Sequence, residues 1–224
     1  MNYKYLLLIL LTACAEQTNQ IVVKHQGALR SIMHDGDIGP KAQLDSLVKR
    51  GIYAVGALDS LSGEVLIEDG QIMVSTFDQD TLKVDRVTSG YASLLVYSQV
   101  NSWKEIPVEG EKLEQSLLYY AKKNGISIPF PFMLKGAFKK LEYHIISFDP
   151  ENGDLQNHKE GAFRSDLSNE EVVVLGFYSD RHHGVYTHHD ANMHMHVRDN
   201  EFTRMGHVDV LEVGYKFTLL IPEL

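Results

Sequence analysis

The sequence is poor in cysteine and in long apolar runs. Cys14 is the only cysteine among the 224 residues, so no disulfide can form within the chain. No apolar run reaches the roughly 20 residues that a membrane-spanning helix needs. No glycine-rich phosphate loop follows a predicted strand, and the sequence therefore gives no support to a nucleotide-binding protein or a dinucleotide-dependent oxidoreductase.

Positive charge is also scarce. The chain has 21 Lys and Arg against 30 Asp and Glu, for a formal charge of −9, and the basic residues form no cluster. Because phosphate contacts need a basic face, this argues against nucleic acid as a partner and leaves small-molecule substrates open. The share of hydrophobic residues, 44%, is ordinary for a soluble protein and suffices for one large domain or two lobes with a shared core.

The N-terminus has the pattern of an export signal. An apolar run over 5–11 is followed by Leu11-Thr12-Ala13-Cys14, which resembles a bacterial lipobox. We therefore expect residues 1–20 to be a lipoprotein signal peptide and a polar tether. Lipidated Cys14 would anchor the exported protein to a bacterial membrane, and the anchor would be its only membrane contact. A plain secretory signal cleaved near Ala13 or Ala15 is the alternative.

Helical spacing of apolar residues is found in only a few places. The segment 40–50 is predicted to be a helix that starts at a proline and ends at Gly51. The segment 111–124 is predicted to be a second helix, with Gly125 as its C-terminal stop. Residues 28–33 suggest a short amphipathic turn or helix.

Most of the remaining chain has the pattern of strands, so the fold class is predicted to be α+β. Asp69-Gly70 between two apolar runs predicts a tight hairpin, and 133–141 suggests another hairpin. Residues 150–168 have the composition of a polar loop. We expect one domain over 21–224 with two strand-rich lobes that meet near 124–132. The predicted strands or extended segments are 21–23, 52–58, 64–67, 71–74, 81–84, 91–100, 128–132, 143–148, 172–178 and 215–220.

Three histidines have the spacing of a metal site. In a strand, His194 and His196 point to the same face, and the turn-forming residues after them can bring His207 alongside on a neighbouring antiparallel strand. Three imidazoles suit zinc or a similar divalent ion and leave a coordination position open, as in catalytic sites. The alternative is that these histidines only line a half-buried strand. Nearby pairs at 182–183 and 188–189 could also bind metal loosely, without chemistry.

Several motifs together resemble the bacterial α-acetolactate decarboxylases. A Gly-Phe strand leads to His-x-His and then to Gly-His, and upstream lie a glycine, a turn, Gly-Glu and Asp-Gly. The similar residues span most of the expected mature chain. They are Gly56, Gly63-Glu64, Asp69-Gly70, Gly136-Ala137-Phe138, Gly176-Phe177, His194-Met195-His196, Gly206-His207 and Ile221-Pro222.

The resemblance implies a homodimeric α+β zinc enzyme that converts 2-acetolactate to acetoin and carbon dioxide. Its metal ligands would be His194, His196 and His207, and a 2-hydroxy-3-oxo acid could chelate the ion, which would act as a Lewis acid. The family's glutamate near the metal falls on Glu64, and a proton must reach carbon after carbon dioxide leaves. The residues alone favour a different interpretation, in which Glu64 is a solvated carboxylate at a strand end beside a turn.

One family position differs in residue type. Where the family has an arginine that holds the substrate carboxylate, this chain has His144, which offers at most two hydrogen-bond donors. Arg164, Arg181 or Arg204 could take over that contact. The polar loop 184–192 is a further difference, and we expect either that His188 or His189 supplies contacts to the pocket or that the loop is merely solvated.

Two other functions fit the sequence. One is a related metal-dependent lyase that acts on another 2-hydroxy-3-oxo acid, for which His144 is the motivation. The other is a non-enzymatic surface lipoprotein that binds zinc through its histidine-rich tract.

Overall fold

The computed structural model describes residues 20–151, 153, 155 and 161–224. These residues form fifteen β-strands, which make up two antiparallel sheets, and two α-helices. This confirms the predicted α+β class. The predicted signal peptide and lipidated Cys14 lie outside the described residues. Within the described part of the chain, no helix has the length and apolarity to cross a membrane.

The first sheet holds the N-terminal strands in the order β1-β7-β3-β4-β5-β6, with β2 paired to β7. The chain then crosses to the second sheet between Gln99 and Trp103, ahead of the expected junction near 124–132. These strands are β1 (Val23–Gln26), β2 (Ala42–Gln43), β3 (Ile52–Leu58), β4 (Glu64–Glu68), β5 (Gln71–Asp78), β6 (Thr81–Val87) and β7 (Tyr91–Gln99).

The second sheet has the order β11-β10-β14-β13-β12-β9-β15-β8. Helix α1 (Leu29–Asp35) precedes β2, and α2 (Leu113–Lys123) follows β8. The strands are β8 (Trp103–Glu109), β9 (Phe130–Ala137), β10 (Lys140–Ile145), β11 (Phe163–Asp166), β12 (Glu171–Tyr178), β13 (Met193–Asp199), β14 (Met205–Glu212) and β15 (Lys216–Pro222).

The β4–β5 hairpin forms as the sequence predicted. Asp69 and Gly70 both have positive φ, 50° and 78°, which is the geometry of the two-residue turn that suits the twist of paired strands. Glu68 consequently pairs with Gln71. Glu64 at the start of β4 is thereby paired with Ser75 of β5.

The helices are only partly as predicted. Helix α2 matches the expected segment 111–124, with its apolar face buried, and α1 matches the short amphipathic segment. The predicted helix over 40–50 is wrong. Ala42 and Gln43 pair with β7, and Leu44 starts a short 3₁₀ turn. Leu44 N donates a hydrogen bond to Gly90 O at 2.9 Å. The leucines of the segment 40–50 have helical spacing because they are buried in the core. The backbone hydrogen-bonding groups of the segment are satisfied by strand pairing rather than by a helix.

The predicted hairpin over 133–141 is also wrong. Strand β9 lies between β12 and β15, whereas β10 lies between β11 and β14. The short link between β9 and β10 contains Phe138, which is fully buried, and Phe138 O accepts a hydrogen bond from Asn169 N at 2.7 Å. The sheet is therefore curled, so that the start of β10 returns close to the loop before β12. Part of the predicted loop 150–168 is strand β11, which pairs with β10.

The two sheets pack face to face through a shared apolar layer. Val55 and Leu66 of the first sheet lie in one buried cluster with Leu175 and Phe177 of the second. At the edge of this layer Arg198 donates two hydrogen bonds to Glu68, at 2.6 and 2.9 Å. Polar side chains that point into this apolar layer are shielded from water. The site lies where several of them come close together.

Candidate metal centre

Three histidines converge on one face of the second sheet. His194 and His196 alternate along β13, and His196 pairs directly with His207 on β14. One nitrogen from each ring lies within 4.8 Å of the others. The expected antiparallel pairing of the His-x-His strand with the Gly-His strand is therefore confirmed. Side chains directly opposite on one face of two such strands are neighbours, which is why these rings meet.

Burial keeps the central histidine neutral. His196 is fully buried, and this burial, with His194 and His144 nearby, holds the pKa of His196 well below its usual value. Among the described residues neither ring nitrogen of His196 has a hydrogen-bond partner. A buried polar group in this state is costly unless something else satisfies it, and the neutral imidazole is the form that binds a metal.

The three nitrogens fit a divalent ion. Bonds of about 2.1 Å in a tetrahedral arrangement place ligand nitrogens about 3.4 Å apart, and the three nitrogens lie within 4.8 Å of one another. Three imidazole ligands suit zinc and similar ions and leave room for a further ligand.

Glu64 lies beside the three histidines, across the interface between the sheets. Its side chain is buried, with 3% of the residue exposed, so the alternative of a solvated carboxylate is wrong. Oε1 accepts a hydrogen bond from Ile146 N at 3.1 Å, and Oε2 lies 3.6 Å from His196 Nε2. The backbone contact holds one oxygen and leaves the carboxyl group turned towards the imidazoles.

His144 on β10 completes the row of imidazoles. It pairs directly with His207, and its Nε2 lies 3.8 Å from Glu64 Oε1. On the other side of the ring, Nδ1 is 2.8 Å from Asp209 Oδ2. Asp209 was not among the predicted site residues, although its position two residues after His207 on a strand was a signal that it could lie near the same site.

The three candidate arginines differ in their surroundings. Arg181 pairs with Asp180, and Arg204 pairs with Glu170 and Asp199. Arg164 Nη1 lies 3.4 Å from Asp209 Oδ2, so it reaches the His144 side of the site through that carboxylate.

A cavity of about 60 Å³ opens onto these polar groups. Its lining includes Glu64, His144, His194, His207 and His188, whose ring lies 5.7 Å from that of His207. His189 is exposed. Of the two histidines that the sequence offered as pocket contacts, the structure therefore brings only His188 to the cavity.

The rest of the cavity lining is largely apolar and includes Leu29, Ile32 and Met33 of α1. The helix is tied to the histidine-rich loop, because Leu29 N donates to Val185 O and Arg30 N to Gly184 O, both at 2.8 Å. This contribution of α1 was missed in the sequence, where its apolar spacing predicts only a buried face. An apolar wall opposite a polar one favours a small ligand that has both kinds of surface.

Comparison with known proteins points to one family. The family model of alpha-acetolactate decarboxylase matches residues 25–220. Alpha-acetolactate decarboxylase of Lactococcus lactis subsp. cremoris is 23% identical over 185 residues, which cover 81% of this chain and 75% of that protein. The enzyme of Streptococcus thermophilus is 22% identical over 203 residues, covering 84% and 80%.

Solved structures share the fold. Alpha-acetolactate decarboxylase from Bacillus subtilis superposes with a TM-score of 0.72 at 16% identity, over 90% of this chain and 86% of that one. A Staphylococcus aureus protein of unknown function, described as similar to alpha-acetolactate decarboxylase, gives 0.72 at 18% identity, over 90% and 85%.

Proposed function

The chain belongs to the alpha-acetolactate decarboxylase family, and on this premise we propose that it is a carboxy-lyase that converts 2-acetolactate to acetoin and carbon dioxide. The observation that carries the proposal is the meeting of His194, His196 and His207, with the buried carboxyl group of Glu64 beside them. Nucleic acid has no part in this function, since the substrate is a small molecule.

The three histidines would hold one divalent ion, for which zinc is the first candidate. When bound, the ion supplies a Lewis acid that stabilises negative charge on the substrate's ketone oxygen. The neutral state of buried His196 and the common face of the three rings support this ligand set.

The chain's own residues would then handle the carboxylate and the proton. In the reaction the bond between carbon and carboxylate breaks, its electron pair stays on the remaining skeleton, and one proton is added to carbon. Glu64 is the group we assign to the delivery of that proton, because its carboxyl lies among the imidazoles and is shielded from water. His144 would contact the substrate, while the α1 side chains exclude water from the apolar end.

An assay of the purified, metal-loaded protein with 2-acetolactate tests the proposal. We expect release of acetoin and carbon dioxide in equal amounts, with one metal ion bound per chain. Turnover of another 2-hydroxy-3-oxo acid without turnover of 2-acetolactate would instead support a related lyase. Several weakly held metal ions with no turnover of either acid would support a zinc-binding lipoprotein.

The location and the assembly are part of the same proposal. We propose that the chain is exported and held on a bacterial membrane by lipidated Cys14, which is supported by the lipobox-like sequence alone. A Cys14→Ser variant should then leave the membrane fraction. We further propose a homodimer, as the family resemblance implies, which the molar mass of the purified protein in solution would test.

A further inference from the structure

Asp209 and Arg164 lie behind His144, on the side of its ring that faces away from Glu64. We propose that Asp209 is a positioning residue that, supported by Arg164, fixes the His144 imidazole so that its Nε2 faces the substrate in the cavity. The inference rests on the proposed function for the identity of that substrate.

The three residues are brought together by strand register. His144 on β10 pairs directly with Arg164 on β11 on one side and with His207 on β14 on the other. Asp209 follows His207 by two residues along β14, which brings its carboxylate to the edge of the His144 ring. The three residues therefore come from three adjacent strands, and His144, on the middle strand, lines the cavity.

One carboxylate oxygen receives both contacts. His144 Nδ1 is 2.8 Å and Arg164 Nη1 is 3.4 Å from Asp209 Oδ2. An ionised carboxylate only accepts hydrogen bonds, so the contact places a proton on Nδ1 of His144. The guanidinium of Arg164, on β11, contacts the same oxygen and helps to hold the carboxylate in place.

The fixed ring has a defined direction. With Nδ1–H donating to Asp209, Nε2 is the ring atom on the side of Glu64, 3.8 Å from its Oε1. His144 is buried, with 3% exposed, so this orientation is held by packing as well as by the hydrogen bond. In this tautomer Nε2 is a hydrogen-bond acceptor, and a 2-hydroxy-3-oxo acid offers it a hydroxyl group.

Kinetics of full-length, metal-loaded variants test the role of Asp209. We expect Asp209→Asn to raise KM for 2-acetolactate about tenfold or more, the scale of a charge-assisted hydrogen bond, while kcat stays within about threefold and the metal content is unchanged. Asp209→Glu should recover part of the affinity, and Arg164→Gln should raise KM about two- to threefold. Glu212→Gln is the matched control, because Glu212 is an exposed carboxylate of the same strand that pairs with Lys139, and it should leave both constants unchanged.

A second readout does not need turnover. Nitrogen-15 NMR of the full-length, metal-free protein reports which nitrogen of His144 carries the proton, with His144→Gln used to assign the signal. We expect Nδ1–H in the unaltered protein and a mixture of the two tautomers in Asp209→Ala. If the tautomer is the same in both proteins, or if Asp209→Asn lowers kcat and leaves KM unchanged, the inference is wrong. Absence of turnover by the unaltered protein would overturn the proposed function, while the NMR comparison would still decide whether Asp209 positions His144.

Discussion

His196 on β13 and His207 on β14 pair directly across two antiparallel strands, with their ring centroids 5.4 Å apart. The turn between the strands sets this register. At its start the Asp199 carboxylate accepts hydrogen bonds from Thr203 N at 2.8 Å and Thr203 Oγ1 at 2.6 Å. A shift of one residue would turn His207 to the opposite face of the sheet, so the site depends on the turn as well as on the histidines.

Replacement of a ligand should remove metal and activity together. In His207→Ala we expect the affinity for zinc to fall by more than about 100-fold, since even outer contacts of a metal site cost 10- to 100-fold. Metal content after dialysis and acetoin release are the measurements. His189→Ala is the control, because His189 belongs to the histidine-rich loop but is exposed. Full metal retention in His207→Ala would contradict the ligand set.

Glu64 should matter for the chemical step more than for the metal. Glu64→Gln keeps an oxygen for the hydrogen bond from Ile146 N but removes the acidic proton. We expect kcat to fall about 10²- to 10⁴-fold, the usual contribution of a general acid, with one metal ion still bound. Glu142→Gln, at a half-buried carboxylate paired with Lys140, should have normal kcat. An unchanged kcat in Glu64→Gln would remove Glu64 from the mechanism.

The two adjacent histidines of the loop should differ in effect. His188 is half-buried and lines the cavity close to His207, whereas His189 is exposed. In His188→Ala we expect KM for 2-acetolactate to rise several-fold through loss of a polar contact in the pocket, while His189→Ala should behave as the unaltered protein. Equal effects of the two substitutions would show that the loop acts through its general structure.

The part of the site that the sequence predicted is the part that local periodicity determines. His194 and His196 share a face because a strand alternates every two residues, and a turn-rich link of polar residues was enough to bring His207 beside them. Glu64 came from the family resemblance. The sequence pattern alone favoured a solvated carboxylate, because only the packing of the first sheet against the second buries Glu64.

What the sequence did not predict depends on contacts between distant segments. Leu44 and Leu47 have helical spacing, yet pairing of the preceding residues with β7 determines their backbone. The short link containing Phe138 looks like a hairpin turn, but β9 and β10 pair with other strands and lie four positions apart in the second sheet. The role of α1 as an apolar wall of the cavity likewise arises from its attachment to the loop at Gly184 and Val185.

Close backbone contact at Gly56 should make this position intolerant of a side chain. A Cβ built on Gly56 would lie 2.0 Å from Leu94 O, a backbone atom of the neighbouring strand. We expect Gly56→Ala to lower the free energy of unfolding by about 3 kcal/mol, the upper end for overpacking of a core. Gly39→Ala is the matched control, since nothing lies within 4 Å of its Cβ. Urea unfolding of both variants is the measurement, and equal midpoints would contradict the expectation.

Asp199 should make the stability of the fold depend on acidic pH. Burial alone would raise the pKa of Asp199, but the hydrogen bonds from Thr203 and Arg204 outweigh burial and hold this pKa below its usual value. A carboxyl group whose pKa is lower in the folded than in the unfolded chain stabilises the fold above the unfolded pKa, about 3.9, and this stabilisation is lost as the pH falls through the folded pKa.

Asp199→Asn should therefore be less stable than the unaltered protein at pH 7, by about 1–3 kcal/mol, and the difference should shrink as the pH falls below about 4. Urea unfolding at a series of pH values measures this difference, with Glu201→Gln at the exposed end of the same turn as the control. A difference that stays constant down to pH 2 would mean that the Asp199 carboxylate contributes through shape rather than charge.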